Sequence, residues 1–327
     1  MKYDPKDYPV LGLCSGIEGF ELAAESLGLP VVATAEIDKD ANTVAFLNSG
    51  RHPFGDIRLL KGGDLPKARI VLAGSSCKGW SHIGQQLGFA HPEGDLLLHC
   101  IRLAKECHAD LIVTENVPNL VGHANCLSLK IINRFLVRFG FTPFEGRILN
   151  SAHWGLATAR KRWFACSFRQ GLTIRPLEWP SFKKPPVHLR SVLMREGIDD
   201  RLYADSSEFI ATDLKRPRDP YSPMRVGNIK KSFRDRAVWG INAPAPTFLS
   251  GMGGPGGPSG LFQMDDGRLR RLDPKEMLSA MGFPAGYRMP FRSYRGGRLV
   301  GNALCPPVAA SVISMALKAM TEVEVSL

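Results

Sequence analysis

Short apolar runs alternate with amphipathic stretches through the first half of the chain. Residues 10–14, 30–35, 68–74 and 110–114 are brief and apolar, which predicts strands; 163–168 is a later one of the same kind. Between them, 19–27, 38–48, 95–107 and 127–139 carry helical periodicity. The third of these places Leu96, Leu97, Cys100, Leu103 and Ala104 near one stripe. Strand–helix alternation predicts an α/β fold, a doubly wound and mainly parallel sheet covered on both faces. The pattern breaks near Arg169. From there to Arg268, Pro, Arg and Gly dominate, and residues 250–260 are so rich in glycine that a loop or hinge is expected. Helical periodicity returns over 273–281 and 306–320. The expected organisation is a main domain over 1–170, a smaller irregular domain over 171–268, and a return to the first domain over 269–327.

Composition narrows the classes. The chain has 327 residues, 44% of them hydrophobic, enough for a sizeable core. No apolar run approaches the roughly 20 residues of a membrane span, and the polar N-terminus has no signal core, so a cytoplasmic protein without a membrane partner is expected. The net charge of +11 suits a polyanionic partner. The segment 169–268 carries 16 Lys and Arg against 11 Asp and Glu. The seven cysteines include no Cys-x-x-Cys pair, so neither a disulfide framework nor a metal site is expected.

Chemistry concentrates at predicted strand ends. Gly12, Gly16 and Gly19 follow the first strand and open a helix, a turn that lets a nucleotide-like cofactor approach the backbone, or serves only as a tight connection. Glu36 ends the second strand about 20 residues on, where an acid can grip ribose hydroxyls. Asp56 follows Gly55 and can reach an exocyclic amine. Cys77 lies just past the third strand in a small polar loop beside Lys78, surroundings that favour a reachable thiolate. Glu115 ends the next strand, and neighbouring strand ends share one crevice.

In this order the motifs resemble those of the bacterial and phage DNA cytosine-5 methyltransferases, over nearly the whole chain outside 169–268. Residues 14–20, with Ser15, Gly16, Ile17 and Gly19, resemble the first cofactor motif. Glu36-Ile37-Asp38 and Gly55-Asp56-Ile57 resemble the ribose and adenine motifs, and Gly94-Asp95-Leu96-Leu97 a further cofactor-side motif. Cys77 sits at the nucleophile position, and Glu115-Asn116-Val117 is written as in the family. Arg160-Lys161-Arg162 resembles its Arg-x-Arg, residues 270–284 the motif closing the recognition domain, and Gly301-Asn302-Ala303 the final cofactor motif. Several positions depart. Gly12 stands where an acid is usual, Cys14 where an aromatic is common, and Glu18 replaces a glycine. Ser76 and Lys78 replace Pro and Gln, and Thr158 replaces Gln.

The resemblance implies a Rossmann-like methyltransferase sheet with a smaller target-recognition domain, acting as a monomer on double-stranded DNA with S-adenosyl-L-methionine. Cys77 would attack carbon 6 of a flipped cytosine while Glu115 steadies ring nitrogen 3, with Arg160 and Arg162 beside the base. A flexible loop at Gly79 would close behind it. Cofactor residues would be Ser15, Gly16, Ile17, Gly19, Glu36, Ile37, Asp56, Ile57, Leu97, Asn302 and Ala303. DNA contacts are expected from Ser81, Lys215, Arg216, Arg218, Arg225, Lys230, Lys231, Arg234 and Arg236. Lys78 either meets a phosphate or the thiolate, or partners the extra carboxylate of carboxy-S-adenosyl-L-methionine, which would make the product carboxymethylated. RNA as substrate, and a catalytically silent DNA-binding module, are the other readings open at this level.

Overall fold

The computed structural model describes residues 4–80, 87–181, 183–212, 217, 219–231, 234–251 and 260–321, with only the backbone at 230, 231, 234, 293 and 321. Ser81, Lys215, Arg216, Arg218 and most of the glycine-rich stretch lie outside the described residues.

In chain order the first elements are β1 (Val10–Leu13), α1 (Gly19–Ser26), β2 (Val31–Ala35), α2 (Lys39–Ser49), β3 (Ile70–Ala73), α3 (Leu96–Glu106), β4 (Leu111–Asn116), α4 (Asn119–Gly122), α5 (Leu127–Arg138) and β5 (Glu145–Asn150). Then come β6 (Thr158–Ala159), β7 (Lys161–Phe168), β8 (Tyr203–Ala204), β9 (Phe209–Ala211), β10 (Arg225–Lys231), β11 (Arg234–Gly240), β12 (Ala245–Pro246), β13 (Leu261–Gln263) and β14 (Leu269–Arg270). Three helices close the chain: α6 (Pro274–Ala280), α7 (Ser293–Asn302) and α8 (Pro306–Thr321).

The chain divides into two compact units. The first holds Met1–Leu149, Lys161–Ser181 and Pro306–Leu327, and the second Asn150–Arg160 and Phe182–Cys305. These are not the boundaries read from composition. Residues 269–305 stay with the second unit, because β14 pairs with β13 and β8, while α6 packs on α7. Residues 150–160 join it too, since β6 pairs with β12.

In the first unit one sheet runs β2-β1-β3-β4-β7-β5. Strands β2, β1, β3 and β4 are parallel, as the alternation predicts, but β7 is antiparallel to β4, Glu115 facing Phe164. Side chains alternate across this sheet. Leu11, Leu13, Val71, Ala73 and Ile112 point to the side filled by α3 and α5, in a cluster with Cys100, Ile101, Leu103, Ile132 and Leu136. The opposite side takes α1 and α8, which pack on each other, and Phe20 of α1 meets Phe164 of β7 edge-on at 6.3 Å. Residues 294–320 are by length and composition long enough to span a membrane, contrary to the sequence expectation, yet that stretch is mostly buried and helical regularity breaks between Asn302 and Pro306.

The second unit has its own sheet, β8-β14-β13-β11-β10-β9, around Val226, Ile229, Val238, Leu261 and Leu269. Its largest fully buried side chain is Arg270. Arg270 is acceptable there because both its terminal nitrogens donate to the Glu276 carboxylate, at 2.7 and 2.8 Å.

Candidate active site

The carboxyl ends of β1, β2, β3 and β4 carry most of the residues singled out above, where ligands gather in open α/β sheets. Four residues past Ala73, the loop after β3 presents Cys77, half-buried against the apolar cluster. This loop is tied down on several sides. Asn116 at the end of β4 donates to Ser75 O and Ser75 Oγ, both at 3.3 Å, while its own Oδ1 accepts from Val117 N at 2.8 Å. Trp80 N donates to Cys77 O at 3.0 Å, and Asn119 Nδ2 donates to Trp80 O at 2.7 Å. The indole of Trp80 is buried between Phe89 and His123, each ring edge-on at 5.1 Å. Gly79 itself is closely packed here. Gly88 N donates to Gly79 O at 2.9 Å, and a Cβ on Gly79 would come within 2.8 Å of Gly88 O.

Glu115 is buried at the end of β4. Arg162, near the start of the antiparallel neighbour β7, places Nε 3.0 Å from Glu115 Oε1, and each side chain is only 11% exposed. A charge-assisted contact so shielded from water fixes where the carboxylate points. Arg162 is thus held beside Glu115. Arg160 has partners of its own. It is 4% exposed and belongs to the second unit, where its Nη atoms donate to Phe248 O at 3.0 Å and Gly301 O at 3.2 Å. Those contacts make it a tie between distant main-chain segments of the second unit. Thr158, the other departure nearby, donates its hydroxyl to Ala245 O or Pro246 O.

Lys78 is 62% exposed and its ammonium lies 2.6 Å from Glu93 Oε1. Burial raises the Glu93 carboxyl, but the Lys78 and Ser76 hydrogen bonds and the Lys78 charge outweigh it and hold the group below its usual range. The carboxylate that Lys78 needs is thus supplied by the chain, and the carboxyl-bearing donor is not favoured.

The glycine turn after β1 is open on one face and tied to the end of β2. Gly16, at φ +54, has nothing within 4 Å of an added Cβ, so space is open above it. Gly16 N donates to Glu36 Oε2 at 2.8 Å, while Ile37 N and Asp38 N donate to Glu36 Oε1 at 2.8 Å. Three main-chain donors fix this acid at the end of β2. Ser15 Oγ donates to Ala35 O at 3.2 Å, drawing the turn onto the same strand end. Gly19 opens α1; Ile17, Ile57 and Leu97 are buried, and Ile37 is exposed. Asp56 is bound by its neighbour: Arg58 donates through both Nε and Nη2, and these hydrogen bonds lower the Asp56 carboxyl. Asn302 and Ala303 lie at the end of α7, in the second unit.

Sequence reasoning missed Glu21. Its carboxyl is buried, and burial, then the nearby Glu18 charge, pushes it up to about 8. The signal was legible, since Glu21 falls on the stripe of Ile17 and Ala24, where an apolar residue belongs. In the second unit, β10 and β11 form an antiparallel hairpin pairing Ile229 with Arg236 and Lys231 with Arg234, so the basic positions cluster along one ribbon.

A family model described as C-5 cytosine-specific DNA methylase matches residues 8–318. Over 294 residues the chain is 26% identical to Type II methyltransferase M.HhaI of Haemophilus parahaemolyticus, covering 90% of this chain and 89% of that protein. It is 29% identical over 314 residues to Type II methyltransferase M.HaeII of Haemophilus aegyptius, covering 94% and 92%. Among solved structures, a DNMT2 variant from Spodoptera frugiperda matches with a TM-score of 0.70 at 19% identity, over 95% of this chain and 99% of that one. A putative DNA modification methyltransferase from an E. coli prophage gives 0.68 at 18% identity, over 96% and 100%. The likeness to these structures is one of fold, the Rossmann-like methyltransferase sheet that the resemblance implies.

Proposed function

The chain belongs to the C-5 cytosine-specific DNA methylase family, and from that premise we propose that Cys77 is the nucleophile and Glu115, aimed by Arg162, its partner at the base. The enzyme methylates carbon 5 of cytosine in DNA, with S-adenosylmethionine as donor. Carbon 5 is a poor nucleophile. Addition of the Cys77 thiolate to carbon 6 pushes electron density onto it. Glu115 hydrogen-bonds the edge of the ring at nitrogen 3, where charge gathers as the sulfur adds. When bound, S-adenosylmethionine supplies an electrophilic methyl group. Loss of the carbon-5 proton then restores the ring double bond and expels Cys77. Glu36, Gly16 and the buried Ile57 and Leu97 would hold the adenosyl end, with Asp56 toward the adenine.

The face of cytosine that Cys77 must reach is stacked inside a helix, so the base has to be turned out of it. The proposed substrate is duplex DNA, gripped by the β10–β11 ribbon through Arg225, Lys230, Lys231, Arg234 and Arg236. The enzyme acts as a monomer in the compartment that holds this DNA, the cytoplasm of a bacterium or phage-infected host. The observation that carries the reading is the shielded 3.0 Å contact between Arg162 and Glu115, one strand away from the loop of Cys77.

A random-sequence duplex pool carrying 5-fluorocytosine tests it. Fluorine cannot leave as a proton does, so the wild type with S-adenosylmethionine should become covalently joined to DNA, and Cys77→Ala should not. Absence of any wild-type adduct on the pool, or an adduct that survives in Cys77→Ala, would overturn the assignment. An adduct on the matching RNA pool alone would move the substrate to RNA.

A further inference from the structure

The first cofactor motif lacks the acid expected at position 12, and the structure fills its place from the helix. A Cβ added to Gly12 would overlap Glu21 Oε1, so the Glu21 carboxyl occupies the space that a side chain on β1 would take. We infer that Glu21 binds the α-ammonium group of S-adenosylmethionine, the carboxylate having moved from strand position 12 to helix position 21. This rests on the cofactor reading above.

The surroundings favour a cationic ligand. Glu21 is 1% exposed, and among the described residues no arginine or lysine is paired with it. Arg51 lowers its carboxyl only from a distance, since that guanidinium is bound to Glu18 at 2.9 Å and to Glu25. Ser15 also hydrogen-bonds the carboxyl, and its hydroxyl lies 3.2 Å from Ala35 O. Glu18, at the N-cap position of α1 and 2% exposed, adds a second negative charge. Helix α8, packed on α1, offers only Lys318, which is exposed. A buried acid beside another acid is costly unless a positive donor arrives. Gly12 lies one residue before the end of β1, next to the turn that faces the cofactor side. Of the two positive centres in S-adenosylmethionine, the ammonium has N–H donors for a carboxylate and the sulfonium has none.

The protonation state gives the test a signature. With the carboxyl at about 8 in the free protein, Glu21 is mostly protonated at pH 7. Binding an ammonium ionises it, so close to one proton should leave per molecule bound. Calorimetric titration of the full chain with S-adenosylmethionine, in two buffers of different ionisation enthalpy, measures this without DNA or turnover. Glu21→Gln should weaken S-adenosylmethionine and S-adenosylhomocysteine about tenfold or more and abolish the proton release. It should leave 5′-methylthioadenosine, which lacks the amino-acid end, within about twofold. The double variant Gly12→Asp/Glu21→Ala should recover binding to within about threefold, the acid being returned to the strand. Glu21→Gln that binds S-adenosylmethionine as the wild type does, with the same proton release, would overturn the proposal, as would an equal loss for 5′-methylthioadenosine. A wild type that binds no S-adenosylmethionine at all would sink the cofactor reading together with this one.

Discussion

Replacing Arg162 by alanine tests whether Glu115 works as a positioned group. The contact is one Nε–Oε1 pair at 3.0 Å, with both side chains 11% exposed. At that shielding it is a close ion pair, and losing one partner leaves a charge buried without compensation, at a cost of about 1.5–3 kcal/mol. If all of it serves to aim Glu115 in the transition state, each ~1.36 kcal/mol lost costs a factor of ten in rate. The expected fall in kcat is therefore about 10- to 150-fold. Affinity for S-adenosylmethionine should not change, because Glu36 and Gly16 are held by their own main-chain bonds. Arg162→Lys keeps a charge but not the planar N–H donors, so an intermediate loss is expected. The assay is single-turnover methylation with tritiated donor, alongside calorimetric cofactor binding. A kcat within twofold of wild type would refute the argument. So would a loss confined to cofactor affinity, because it would mean that the pair supports the pocket and not the base.

Arg160→Met leaves the carbonyls of Phe248 and Gly301 without their donor, which at about 1–3 kcal/mol each should lower the melting temperature by several degrees; an unchanged melting curve would contradict the structural role. The salt dependence of DNA binding should stay the same in that variant, because its guanidinium faces no solvent. Lys78→Met removes an exposed pair worth at most about 1 kcal/mol, and nucleoside mass spectrometry should still find 5-methylcytosine made from S-adenosylmethionine. Burial raises Glu21 from 4.5 to about 8, so its stabilising effect on the cofactor-free fold is complete below pH 4.5 and is lost as pH climbs to about 8. Chemical denaturation should therefore show Glu21→Gln gaining on the wild type across that window, and parallel stability curves would count against a buried acid.

The first unit was readable because its signals are local. Short apolar strands of four to six residues run straight into polar loops, and Glu115-Asn116 stands out after the four buried residues that open β4. The β7 strand was found but not its direction, which depends on pairing with β4 rather than on composition. The second unit was opaque for the same physical reason carried further. Strand β13 runs parallel to β11 over three residues, and β14 joins it to β8 over two, so almost nothing in a local window marks them. Arg270 inside β14 even breaks the hydrophobic pattern, and only its pairing with Glu276 makes sense of it. Arg160 and Arg162 look alike in sequence. One is captured by carbonyls 88 and 141 positions away and the other by a carboxylate on a neighbouring strand, distinctions that no spacing encodes.

The departures in the first motif make more sense as a coupled set than as separate losses. Glu18 replaces a glycine at φ +57, a left-handed conformation that costs a residue with a side chain roughly 1–2 kcal/mol. Its carboxylate meets Arg51 at 2.9 Å with 2% exposure, a contact that glycine could not make and that offsets the strain. Gly12 gives up its side chain, and Glu21 takes the space. Cys14, also left-handed at φ +55, replaces an aromatic; its thiol is hydrogen-bonded to Cys100, and this contact and burial push it well above its usual range. A thiol pushed up in this way is a poor nucleophile at neutral pH. Each change is met by a partner, Glu21 for Gly12, Arg51 for Glu18 and Cys100 for Cys14, so the altered motif keeps a buried acid beside β1, an open face above Gly16 and a sulfur pushed up in pKa. That combination is what the pocket needs if the attacking cysteine is to be the one on the loop after β3.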